Sequence, residues 1–197
     1  NCPFDEDFFF FFFFFSFCIT DLGLMPRLAP ENSDNAEGRL ERIIALVRTS
    51  KFGIHDISRS KSRATGEYAR LNMPFELGLD YGSRRFGGAE LTQKSILVLE
   101  QDNYDSKRAL SDIAGWDVEA HRGDYVRAVR IVSRWLIQQP GVPPVGPAKI
   151  LADYSDFQEW YYERELARGA SEEDIQEYPT IDFVRAMQEW ATLGKPL

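Results

Sequence analysis

Hydrophobic and polar positions alternate along residues 1–138 in a repeating order of short apolar runs and longer amphipathic stretches. Leu40, Ile43, Ile44 and Val47 recur at helical spacing within residues 39–48, which predicts an amphipathic helix. Phe52-Gly53-Ile54-His55-Asp56-Ile57 is short, apolar and closed by polar residues, as a strand is. Ser95-Ile96-Leu97-Val98-Leu99 is apolar almost throughout, the pattern of a buried parallel strand. Residues 105–113 predict a short helix and Val118–His121 a last strand. Asp124 then caps a helix to about Gln138, with Val126, Val129, Ile131, Val132, Trp135 and Leu136 on its apolar side. Leu24–Ala29 reads as a short edge strand because of Pro26, and Asn1–Asp5 as the end of a first strand. Strand and helix thus alternate about five times, which predicts an α/β domain with a parallel sheet of about five strands and helices on both faces.

Two stretches break this pattern. Phe8 to Phe15 is eight phenylalanines in a row. A surface helix needs a polar face, and a bilayer span needs about 20 apolar residues. Three readings stay open: an aromatic helix, an interfacial anchor, or unassigned residues written as phenylalanine. Ser16–Gly23 closes a helix in each case, and no chemistry rests on these rings. The second break is the proline-stiffened linker 139–147, after which residues 148–197 become helical and aromatic, with Tyr154, Phe157, Trp160, Tyr161 and Tyr162. Ser171 opens one further helix there and Pro179 separates another. The expected organisation is an α/β domain over 1–138, the linker, and a C-terminal helical appendage too small to fold alone.

Composition narrows the function classes. The net charge of −8 argues against a general nucleic-acid binder. Two cysteines form neither a disulfide framework nor a metal signature, which fits a reducing, cytoplasmic setting; two histidines exclude a His-rich metal site. No signal peptide or membrane segment is legible. The opening on Asn-Cys-Pro without a methionine predicts further residues upstream.

The chemistry concentrates between Phe52 and Tyr81. Asp56 ends a strand, Ser58–Arg70 is a charged loop, and Asn72 and Pro74 suit the start of a helix that carries Glu76 in its first turn. Ligands of open α/β sheets bind in the crevice at the carboxyl ends of the strands. A carboxylate fixed there stabilises a cationic sugar as an N-glycosidic bond breaks, or attacks it. A neighbouring acid such as Asp56 serves the leaving base, and Arg59, Lys61, Arg63 and Arg70 suit phosphates. His55 and Asp56 face opposite sides while the strand continues. Plainer readings stand beside these: a first-turn Glu is common for dipole reasons, Asp56 caps a loop, His55 is structural, and the basic loop is a solvated surface.

The pattern Asp56 … Asn72-Met-Pro-Phe-Glu76-Leu-Gly resembles the nucleoside 2-deoxyribosyltransferase-like fold and is similar to the TIR-type NAD hydrolases. The wording His-Asp-Ile-Ser-Arg with Asn-Met-Pro-Phe-Glu-Leu-Gly is also similar to bacterial proteins of this type. The resemblance implies a flavodoxin-like sheet, with Glu76 as the essential glutamate and Asp56 as the base-side aspartate. Asn72 matches the polar residue opening the helix, and the segment holding Pro3, Phe4 and Asp5 matches the first substrate-contacting loop. His55, Ser58 and Arg59 complete the implied substrate-binding set. The loop Ser58–Leu71 is longer than in the compact transferases, and the tryptophan-cysteine pair of TIR proteins is replaced by Met73 and Pro74. The implied activity is cleavage or transfer of a nucleotide N-glycosidic bond, with no metal or cofactor and NAD as one substrate. The implied partners are a nucleotide or nucleoside and further copies of the chain, with neither nucleic acid nor membrane. A non-catalytic nucleotide sensor and an oligomeric structural subunit are the alternatives.

Overall fold

A computed structural model describes residues 2, 9–29, 38–60, 62, 65–66 and 68–196. The chain divides into two compact units, one formed by residues 1–12 and 32–131 and the other by residues 13–31 and 132–197. The first unit holds the sheet. β1 (Phe52–Asp56), β2 (Ser95–Glu100) and β3 (Glu119–Ala120) are all parallel, in the order β1-β2-β3.

The sheet therefore has three strands among the described residues, not about five. Leu24–Ala29 is not a strand: Met25 is largely exposed and Pro26 has no N–H to give to a ladder. The expected first strand lies outside the described residues apart from Cys2. The last strand is present but shorter than Val118–His121: only Glu119 and Ala120 pair, with Leu99 and Glu100 at the end of β2.

Register assigns the faces. His55 pairs with Val98 and Asp56 with Leu99, so His55 and Val98 look one way and Asp56 and Leu99 the other. α2 (Arg39–Thr49) and α3 (Asn72–Phe86) pack against each other. Met73 and Leu77 of α3 cluster with Ile57 and Val98, which fixes this helix on the His55 face. α4 (Asp105–Ala109) follows β2, and α5 (Tyr125–Leu136) follows β3 with Ala128 and Val129 fully buried.

The second unit is a cluster of aromatic residues. It takes most of α1 (Phe9–Asp21) together with α6 (Pro147–Ala167), α7 (Glu172–Glu177) and α8 (Thr180–Thr192). Phe157 stands at its centre, ring to ring with Phe17, Tyr161, Phe183 and Trp190. Ser171 and Asp174 form a capping box at the start of α7, as their spacing predicts. Among the described residues no helix is long and apolar enough to cross a membrane.

Candidate functional site

Parallel strands put their carboxyl ends along one edge. Asp56 ends β1, Glu100 ends β2, and His121 follows β3 directly. Asp56 has no exposed surface. Its Oδ1 accepts the Ser58 backbone N–H at 3.0 Å and also the Ser58 hydroxyl. His121 Nε2 lies 3.1 Å from Asp56 Oδ2 and 2.9 Å from Ser58 Oγ. On the other side of the ring, His121 Nδ1 accepts the Gly123 N–H at 3.1 Å, which assigns the proton to Nε2. Ser, His and Asp meet here, but not as a nucleophilic triad. In such a triad the carboxylate and the hydroxyl take opposite ring nitrogens. Here both take Nε2, and the serine proton is already given to Asp56. The Ser58 N–H and hydroxyl hold Asp56 Oδ1, while Oδ2, next to His121, is buried without a hydrogen bond.

His55 points the other way. Its Nε2 donates to Asp80 Oδ2 of α3 at 2.8 Å, and Lys94 Nζ lies 2.5 Å from Asp80 Oδ1. Lys94 also donates to the Val47 carbonyl of α2 at 2.5 Å. Burial lowers the proton affinity of His55 despite the aspartate beside it. For Asp80, burial alone pushes upward, but hydrogen bonds from His55 and Lys94 outweigh it, and the carboxyl stays below its usual range. Gly53 belongs to this arrangement: a Cβ there would drive into Asp80 Oδ2. This is a structural joint between β1, α2, α3 and the start of β2.

Glu76 is 6% exposed, although its helix starts one residue earlier than expected. Leu71 is the residue before the helix and caps nothing with its side chain, while Asn72 is already helical and exposed. Glu76 thus sits just past the first turn, where the dipole argument weakens. Its charge partner is instead Arg39, the first residue of α2, with Nη1 2.9 Å from Oε1. That contact lacks hydrogen-bond geometry, so Oε1 is buried without a hydrogen bond. The arginine is 56% exposed and the glutamate side chain 7%.

The predicted residues therefore separate. Asp56 and Ser58 are joined, His55 lies on the opposite face, and Glu76 is paired to α2. Arg59 is buried, and its carbonyl accepts the Arg70 N–H at 2.8 Å, closing the neck of the loop. Pro3, Phe4, Asp5, Lys61 and Arg63 lie outside the described residues. Three residues were missed. His121 was legible by the same strand-end argument applied to β3. Glu100 accepts the Tyr104 and Ser106 N–H groups at 2.8 and 2.9 Å and holds Tyr104 in a left-handed turn, φ 70°. Arg39 left no local signal, because its role depends on helix packing.

Among the described residues no group of His, Cys, Asp and Glu could hold a metal ion. A cavity of about 290 Å³ opens in the second unit, beside Arg164, Arg168 and Arg185. Glu165, Glu189 and Asp182 already take those guanidinium groups, so its walls favour neither sign of charge. Comparison with protein-family models, with curated proteins and with solved structures finds no match to this chain.

Proposed function

We propose that the chain cleaves or transfers the N-glycosidic bond of a nucleotide, NAD among the substrates to try, with Glu76 facing the sugar. The observation that carries this reading is the Glu76 carboxylate: nine-tenths buried, near the start of α3, and with an oxygen that no hydrogen bond fills. As the bond to the base breaks, its electron pair leaves with the base. A preorganised carboxylate then holds the positive charge left on the sugar, or bonds to it. Hydrolysis consumes one water at that carbon; transfer consumes a second base. In this reading Asp56 serves the leaving base, with its Oδ1 held by Ser58.

The test is release of free base, followed by chromatography, from NAD and from panels of nucleosides and nucleotides. Glu76→Gln is expected to lower turnover by about 100-fold or more while keeping a cooperative melt. Equal turnover by both proteins would sink the assignment.

A second reading has its own support. Asp56 Oδ1 already takes both the N–H and the hydroxyl of Ser58, and Glu76 is ion-paired with Arg39. A sensor that binds nucleotides without turnover needs no free carboxylate. A ligand-induced rise in melting temperature with no product would favour it. Self-association, with the aromatic helical unit as its vehicle, is checked by light scattering across a concentration series.

A further inference from the structure

Arg39 and Glu76 pose a chemical conflict. A cationic sugar and a guanidinium both need the same carboxylate. With Arg39 in place, a developing positive charge at the sugar meets an existing one. At about 5 Å and an effective dielectric of about 20, that repulsion costs roughly a hundredfold or more in rate. The arginine must leave for the chemistry to run well, and the structure makes leaving easy. Arg39 is the first residue of α2, more than half exposed, and holds Glu76 through one Nη without hydrogen-bond geometry. Glu76 cannot follow, because it is buried in the middle of the face that α3 presents with Met73, Leu77 and Asp80.

Resting on the reading of Glu76 given above, we infer that Arg39 masks Glu76 in the free protein and is drawn off by a phosphate on the substrate. The substrate class is then a nucleotide and not a free nucleoside. A phosphate offers the planar guanidinium fork two good acceptors, more than the single off-geometry contact it gives up. It also brings its own negative charge, so the carboxylate is released to the sugar as the arginine is satisfied elsewhere. A nucleoside has no group that pays for this exchange. One side chain thereby couples recognition of the phosphate to exposure of the carboxylate.

The experiment compares wild type, Arg39→Gln and Arg39→Lys on matched pairs of nucleosides and their 5′-monophosphates. Affinity is read by calorimetry and kcat/KM by base release. Wild type is expected to favour the monophosphate by about tenfold or more. Arg39→Gln is expected to erase the gap from both sides, with the monophosphate falling and the nucleoside rising several-fold as the mask is lost. Arg39→Lys keeps part of the gap. A merely structural ion pair predicts equal losses for both ligands in Arg39→Gln, and that result overturns the inference. So does a gap that survives the substitution, which would place phosphate recognition elsewhere. If no base is released by any variant, the glycosidic reading fails on its own. The calorimetric gap then decides this inference: its loss in Arg39→Gln upholds phosphate capture by Arg39, and its absence in wild type refutes it.

Discussion

Two neighbouring residues of β1 build two different kinds of buried polar cluster. On one face His55, Asp80 and Lys94 form a set whose charges cancel: a neutral imidazole, a carboxylate and an ammonium. Lys94 is finished by a backbone carbonyl of α2, so four segments are tied at one point. On the other face Asp56 takes its hydrogen bonds from Ser58 alone, through one oxygen, and His121 stands beside the other. Both clusters pair a buried aspartate with a buried histidine, and in the second the half-buried Ser58 stands beside them. A cluster that balances its own charge has nothing left for a ligand and serves as a joint. Asp56 has no lysine or arginine beside it among the described residues, and that is the difference a charged ligand would test.

The sharpest way to break this contrast is Asp80→Asn. It leaves Lys94 buried without its counter-charge and is expected to cost about 3–5 kcal/mol in chemical denaturation. A cost below 1 kcal/mol would end the joint reading. The same joint predicts acid sensitivity. The folded proton affinity of His55 is below its unfolded value, so the unfolded chain takes that proton first, and stability falls as pH drops below about 6.5. Asp80 is also lowered, so its contribution is complete above about pH 4 and is lost as pH falls further. Denaturation midpoints between pH 8 and pH 3 should show both steps in wild type, and Asp80→Asn should lack the lower one.

Gly53→Ala comes next. The methyl would collide with the Asp80 carboxylate, a rigid partner already held on two sides, and about 1–3 kcal/mol is expected from the same denaturation curves. Ser58→Ala is the smallest. Asp56 keeps the Ser58 backbone N–H and the His121 contact, so the loss is about 1 kcal/mol. Its informative readout is nucleotide affinity: a change larger than the stability loss marks the Asp56 cluster as the ligand side, and an unchanged affinity removes it from the site.

Local patterns carried the elements well. The helical spacing of residues 39–48, the apolar run up to Leu99 and the capping box at Ser171 all come from neighbours within a turn or a strand, and short-range chemistry decides them, whereas Asn72 lies inside the helix it was expected to cap. The alternation of a strand alone sent His55 and Asp56 to opposite faces. Strand number was harder to see, because a run such as Leu24–Ala29 is a strand only when a partner offers it a ladder. Glu76 was legible as a residue but not as a site. Its partner Arg39, the lysine that completes Asp80 and the histidine beside Asp56 lie far away in sequence, and only helix packing and strand order bring them close. Those contacts depend on the whole arrangement of the chain, since electrostatic pairing acts over a few ångströms of space and takes no account of distance along the sequence.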